Sequence, residues 1–348
     1  MGGCATALAL QRRGLTALVL ERSAGPVPRV GEHLAPDARP LLDRLGVWTR
    51  FLADRHRPSP GVRVAWGGAE IYEREYILDP HGDGWNLDRA RFDASLAAEV
   101  VAAGGMIVHD ARAGTITARQ GRWAVDVVVG GTRRAFTAAF LVDASGRAAA
   151  LARTLGARQR VYDRLVGIVG WMRPGQGANV SDATLLIEAA ADGWWYATLL
   201  PDERLCVAFM TNPPLFAQRA RDVASLWSTQ MAQTRHIRAR AAGFALDGDV
   251  CARFAGTCAC EPVAGERWIA VADAAQAFDP LSSQGIGKAL RSGIAAASVI
   301  ERSLTGDPRA LEQYAAEATR EFDEYLTARR WHYGRETRWL DHEFWRSR

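Results

Sequence analysis

Lysine is nearly absent. Lys288 is the only one among 348 residues, and arginine supplies the rest of the 43 basic side chains. Those arginines are scattered, no basic run forms, and the net charge is only +4, so no nucleic-acid partner is expected. The excess of Arg over Lys reads as coding bias. Long apolar runs are missing too. None approaches the ~18 residues of a membrane-spanning helix, and no charged-then-apolar leader opens the chain, so a cytoplasmic location is expected. The five cysteines, Cys4, Cys206, Cys251, Cys258 and Cys260, are odd in number and lack metal-ligand spacing. Buried thiols and no metal site are expected. Tandem repeats and low-complexity linkers are absent as well. With 48% hydrophobic residues, disorder is excluded. The length suits a substantial core in one intertwined or two modest domains.

What is present centres on residues 269–293. An apolar strand from Trp268 to Ala272 ends on Asp273, a loop turns at Asp279-Pro280, and Gly285-Ile286-Gly287 opens an amphipathic helix. An acid at a strand end accepts hydrogen bonds from polyol hydroxyls. Glycines let backbone approach a planar ligand, and a helix N-terminus directs free N–H groups and a positive dipole at it. A flavin ring that turns anionic on reduction, carried on a polyol chain, suits such a place; an ordinary strand-loop-helix with an exposed Asp would carry the same pattern.

The chain opens at Met1 with an apolar-faced helix stopped by Gly14, then a strand, Thr16 to Leu20, ending on Glu21 and Arg22. In a dinucleotide fold, Gly3 matches the third glycine of Gly-x-Gly-x-x-Gly and Glu21 the acid that takes the ribose hydroxyls. The first strand and first two glycines do not appear. Roughly 10–15 residues encoded upstream are expected to read as an apolar strand followed by Gly-x-Gly.

Further along, Gly31-Glu32 lies in a loop entering a helix that starts near Pro36 and stops at Gly46. His81 sits in a glycine-rich turn, 79–85, where a general base could stand. Asp88 caps a helix running to about residue 103. Arg89 in that helix's first turn is poorly placed for the macrodipole, which points to another task. Strands are expected at 106–110, 113–118, 122–129 and 136–143, the last leading into Asp143-Ala-Ser-Gly146-Arg147. Between about 155 and 254, long β runs build an antiparallel sheet beside a helix at 220–240. Trp194, Trp195 and Tyr196 are its richest aromatic cluster, read either as pocket lining or as core. A terminal helix is expected over 308–330.

Taken in order, the three motifs around Gly3, Asp143 and Asp273 resemble those of glutathione-reductase-type FAD enzymes, the p-hydroxybenzoate-hydroxylase branch. There the second flavin motif runs Gly-Asp-Ala-Ala, a proline, then Gly-x-Gly, with Ala272 replacing the leading glycine here. The whole chain resembles the hydroxylase, tryptophan-halogenase and geranylgeranyl-reductase group. Within it, residues 31–36, 79–85, 193–196, 279–285 and 338–345 resemble most the flavoproteins that mature lysine- and glycine-oxidase quinoproteins towards cysteine tryptophylquinone.

The resemblance implies a mixed α/β fold: an FAD-binding Rossmann domain lacking its first strand in this chain, with an inserted antiparallel-sheet substrate domain. It divides the chain into an FAD domain (1–60, 86–154, 255–305), a substrate domain (61–85, 155–254) and a C-terminal helical segment (306–348). FAD would be met by Gly3, Glu21, Arg22, Gly31, Glu32, Arg89 (at the pyrophosphate), Asp143, Gly146, Asp273, Pro280, Gly285, Ile286 and Gly287. His81, Trp194, Trp195 and Tyr196 would face the substrate. The implied activity is oxidation of an aromatic acceptor, small or peptide-borne, through a flavin hydroperoxide. NAD(P)H or a flavin reductase would supply electrons, and a small aromatic or a quinoprotein amine-oxidase polypeptide would be the partner. Halogenases of the group use a lysine away from the flavin helix and a Trp-x-Trp-x-Ile-Pro string. Lys288 lies inside that helix, Thr198 takes the second Trp place, and no halogenation is expected. The same resemblance would also accommodate a saturating reductase of the geranylgeranyl type, or an FAD-fold protein that has lost its flavin.

Overall fold

Small residues decide how the first half of the molecule closes. The computed structural model describes residues 1–25, 29–213 and 222–348. The helix Gly2–Gln11 is buried along most of its length because it packs directly on the helix Gly285–Leu304. Their crossing has no room for a side chain: a Cβ on Gly293 would sit 2.8 Å from Ala5 Cβ and 2.9 Å from the Thr6 nitrogen. Beneath them run two separate parallel ladders. Leu18–Leu20 pairs with Met106–Val108, and Leu141–Asp143 pairs with Trp268–Ala270.

Two expected strands end differently. The 136–143 run divides, because Thr132–Ala138 belongs to an antiparallel meander with Arg122–Val129, whereas Leu141–Asp143 lies in a parallel ladder. One straight strand cannot serve both directions. The strand from Trp268 stops at Ala270, and Asp273 stands in a short helical turn, Ala272–Ala275, not at a strand end. Ala272 opens that turn at φ +53°, a left-handed conformation that glycine adopts without strain and alanine does not. The glycine usual at this place in the resembled motif has a physical reason, and its replacement is less innocuous than it looks. Other expectations agree with the fold. Asp88 caps Arg89–Ala102 by accepting from the Arg91 N–H, and Gly46 ends Arg39–Leu45 at φ 69°.

The second half is an eight-stranded sheet. It is antiparallel except where Leu185–Ala190 runs parallel to Gly61–Ala65, so the 61–75 strands join the 166–254 strands. Period-two alternation sorts its side chains into two cores. Trp194, Cys206, Ala208 and Met210 face inward; Trp195, Val207 and Phe209 face outward, where Leu226, Trp227 and Ile237 cover them. The covering helix is interrupted. Val223–Ala232 and His236–Arg240 are separate, because the Glu188 carboxylate takes the backbone N–H groups of Arg235, His236 and Ile237 and starts a new helix there. The expected start at 220 lies outside the described residues.

The helix Ala310–Gly334 and the turn Glu343–Arg346 do not stand apart from the sheet. Tyr333, Phe344 and Trp345 pack with Trp66 and Trp194 on its inner face. All three indoles are satisfied there: Trp66 donates to the His332 carbonyl, Trp194 to the Tyr333 hydroxyl and Trp345 to the Ala190 carbonyl.

Candidate active site

Four chain segments far apart in sequence meet at one place. A Cβ on Gly2 would lie 2.8 Å from Ala272 Cβ, and one on Gly3 would lie 3.2 Å from Ala144 Cβ. The opening turn, the Asp143 turn and the Asp273 turn therefore touch. Arg89 fastens the fourth: its guanidinium donates to the Val30 and Gly31 carbonyls at 2.7 Å each, contacts Met1 Sδ at 3.7 Å and pairs with Asp93 at 3.6 Å. Its task in the structure is to hold the 30–31 loop against the first helix, which explains a cation in a first turn.

The helix Gly285–Leu304 aims at this junction. Its N-cap residue Gln284 makes no side-chain cap, and Cβ atoms on Gly285 and Gly287 would meet nothing within 4 Å. Free N–H groups beside open space are what an anionic planar ligand requires. Ile286 is different, since its side chain is buried in the core and only its backbone faces outward. Pro280 opens the preceding turn, Pro280–Ser282.

Asp273 lies between two cations, with Arg147 Nε at 3.6 Å and Lys288 Nζ at 4.0 Å. Arg147 is itself anchored on the Gly256 and Phe278 carbonyls. Lys288 is buried, donates to the Ala272 carbonyl and stands 4.1 Å over the Phe278 ring. Sequence reading missed both as partners of Asp273, although Arg147 follows directly on the middle motif. Asp143 spends both oxygens on its own turn, accepting from the Ser145 and Ala152 N–H groups, so it shapes the loop from beneath. Gly146, at φ 69°, continues that turn. Glu21 accepts from the Ser23 N–H and lies 3.9 Å from Arg29, while Arg22 is exposed beside it.

Glu32 sits where the loop meets the sheet. It is 2% exposed, and its Oε2 accepts from the Gly31 N–H at 2.9 Å and from the Tyr196 hydroxyl at 3.2 Å. Oε1 has no partner. Burial pushes the carboxyl up, and the Arg89 charge and Gly31 N–H only partly offset it. Desolvation and the adjacent carboxylate push the Tyr196 phenol well up in turn.

The four residues expected at the substrate divide. Tyr196 and Trp194 share the inner face, with Val30, Trp171, Leu281 and Cys251 packed around it. Trp195 must be corrected: one residue of register puts it on the outer face, stacked on Phe209 at 4.5 Å between centroids. Trp194 is 1% exposed and covered by Tyr333 and Trp66, so it supports the wall. His81 lies in a turn, its N–H on Asp79 Oδ1, with no side-chain hydrogen bond to any of these groups. His33, next to Glu32 in the chain, is buried against Asn86 and Tyr76, and that burial lowers its pKa.

A chain built this way, with a glycine turn, an aspartate turn and a glycine-led helix meeting at one junction, belongs to the FAD-binding-domain family, whose model matches residues 1–328. It is an FAD-dependent oxidoreductase. It is 30% identical over 351 residues to LodB of Marinomonas mediterranea, a protein carried under the name of an FAD-dependent oxidoreductase, across 99% of this chain and 94% of that one. Solved structures share the fold. The myxobacterial chondrochloren halogenase CndH superposes with a TM-score of 0.92 at 22% identity, covering 99% of this chain and 83% of that one. The peptidyl tryptophan dihydroxylase QhpG, essential for tryptophylquinone cofactor biogenesis, superposes with a TM-score of 0.79 at 24% identity, covering 99% and 75%.

The residues present fit FAD. The bare N–H groups at Gly285–Gly287 suit the ring, half-exposed Asp273 suits the ribityl hydroxyls, and Glu21 suits the adenosine ribose. Asp273→Asn removes a charge-assisted acceptor but keeps the shape, and FAD affinity is expected to fall by about 1.5–3 kcal/mol. Unchanged affinity in a fluorescence titration would show that Asp273 does not face the cofactor. Asparagine is the right probe, because alanine would also strip buried Lys288 of its partner.

Lys288 carries a pH signature. Burial lowers its pKa from 10.5 to about 8, against the opposing pull of Asp273. Below pH 8 it is protonated both folded and unfolded, so folding bears the full cost of burying the charge. Between about 8 and 10.5 the folded chain releases the proton first, and this group's contribution to stability rises. The rise is on the order of 3 kcal/mol. Urea unfolding of wild type and Lys288→Met across this range is expected to show wild type gaining on the variant by that amount. Parallel curves would contradict a buried, shifted lysine.

Proposed function

We propose that this oxidoreductase is of the monooxygenase type and oxidises an aromatic acceptor, a peptide-borne tryptophan of a quinoprotein amine-oxidase polypeptide before a free small aromatic. One observation carries the reading: the inner sheet face bearing Tyr196 and Trp171 meets the Val30–Glu32 loop and the Leu281 turn beside the bare helix end at Gly285. An aromatic acceptor there would lie between apolar walls at the ring-binding junction.

When bound and reduced, FAD supplies oxygen activation; NAD(P)H or a separate flavin reductase would deliver its electrons. The protein's residues do the rest. The Gly285–Gly287 N–H groups favour negative charge on the ring, Arg89 holds the 30–31 loop, and Asp279, Tyr333 and Trp194 tie the cofactor turn to the sheet. The likeness to the peptidyl tryptophan dihydroxylase QhpG supports a peptide acceptor.

Halogenation is the second reading, favoured by the likeness to CndH. The lone lysine argues against it. Lys288 is 2% exposed and spent on Asp273, the Ala272 carbonyl and the Phe278 ring, off the inner sheet face. The test is one set of reactions with photoreduced FAD and O2, offering a tryptophan-containing peptide, free tryptophan, or either with bromide. Mass spectrometry is expected to find one or two oxygen atoms added to the peptide and no bromine. A brominated product, or a saturated one with no oxygen gained, would sink the reading.

A further inference from the structure

We propose that Glu32 and Tyr196 form the acid–base pair of this enzyme, with Glu32 Oε1 taking the proton that the aromatic ring carbon releases as oxygen is added. The proposal rests on the monooxygenase reading above.

The geometry is specific to this pair. Glu32 belongs to the ring-binding loop and Tyr196 to the substrate sheet, so their 3.2 Å hydrogen bond is where the two halves join. Oε2 is fully engaged by Tyr196 and the Gly31 N–H, which fixes the carboxyl plane. That leaves Oε1, among the described residues, buried and without a geometric hydrogen-bond partner, with the Cys206 thiol lying against the same carboxyl. Oε1 is thus the oxygen of this carboxyl with lone pairs left to take a proton. The charged and titratable groups facing the pair are Arg89 from the Arg89–Ala102 helix and the Cys206 thiol from the neighbouring strand, with Cys251 beyond Cys206. Arg89 keeps the carboxyl able to ionise, while burial makes its protonated form accessible. A carboxyl raised by burial and steadied by a neighbouring cation suits proton transfer.

The chemistry balances. Reduced flavin gives two electrons and two protons, and O2 places one oxygen on the ring carbon. The C–O bond forms as the C–H bond breaks, and its proton goes to Glu32. The second oxygen leaves as water with the two flavin protons, and Glu32 returns its proton to the oxygen now on the ring, giving the hydroxylated product.

The test pairs infrared spectroscopy of the full chain with single-turnover assays. In wild type, a buried carboxylic acid band is expected to persist above the pH at which exposed carboxylates have ionised. Glu32→Gln should delete the band, and Tyr196→Phe should shift it, with the FAD affinity of each variant titrated beside wild type and turnover compared at saturating flavin. Turnover of a tryptophan peptide by Glu32→Gln is expected to fall about 100-fold, and the remaining rate should lose its pH dependence. The proposal is overturned if neither variant changes the band, or if Glu32→Gln slows turnover while keeping the wild-type pH profile. Should no aromatic be oxygenated by wild type, the monooxygenase reading fails, and the infrared result still decides whether the pair holds a proton.

Discussion

Asp279→Ala is expected to destabilise the protein by about 3–5 kcal/mol, because it opens a buried ionic network that cannot rehydrate. Asp279 is 1% exposed. One oxygen accepts from the Leu281 N–H and shapes the turn before Gly285; the other accepts from the Tyr333 hydroxyl at 2.8 Å and faces Arg329 at 3.4 Å. Tyr333 in turn accepts from Trp194, and Arg329 also holds Asp163, which pairs with Arg348. The aspartate thereby links cofactor turn, substrate sheet and terminal helix. Asp279→Asn keeps an acceptor for the Leu281 N–H and should cost less. Urea unfolding checks both, and a loss under about 1 kcal/mol for the alanine variant would show that the network contributes little.

Trp195→Ala is expected to cost about 3–5 kcal/mol, the range for deleting a large buried aromatic. The side chain is 0% exposed, stacked on Phe209 and 6.1 Å from Trp227, so truncation leaves a cavity beneath the Val223–Ala232 helix. Tyr196→Phe, one residue on, removes only a hydroxyl and should cost about 1 kcal/mol. Neighbours in sequence would thus give opposite results, stability lost at 195 and chemistry at 196. Equal destabilisation by both would mean that the faces are not separated as described.

Much of the fold was legible in the sequence wherever local rules act alone. Asp88 and Gly46 end helices by chemistry contained within a few residues, and both stand where capping logic puts them. The glycine-led helix at 285 and the acid at 273 were readable for the same reason. Trp195 was not, because three consecutive aromatics carry no mark of which parity faces inward; only pairing with Met210 and Phe209 fixes it. The 272–275 turn hid behind an alanine where glycine would have signalled positive φ. Lys288 and Arg147 as partners of Asp273, and Tyr333 of Asp279, are contacts between residues 15 to 126 positions apart in the chain. The Lys288–Asp273 pair lies within one stretch, but nothing in the spacing shows that the helix turns the lysine back onto the acid; the other two pairs span separate stretches. The terminal aromatics 339–345 were noticed as a string, but that they complete the inner sheet face is a tertiary fact.

The central claim is that one cleft, formed by the Gly31–Glu32 loop, the Asp273 turn and the Gly285 helix end, holds the flavin against the Tyr196 face. A crystal structure of the full chain with FAD tests it most directly. The isoalloxazine is expected within hydrogen-bond reach of the Gly285–Gly287 N–H groups, with a ribityl hydroxyl on Asp273 and Tyr196 across the junction from the ring. FAD seated elsewhere, or crystals that take up no FAD at saturating concentration, would contradict it.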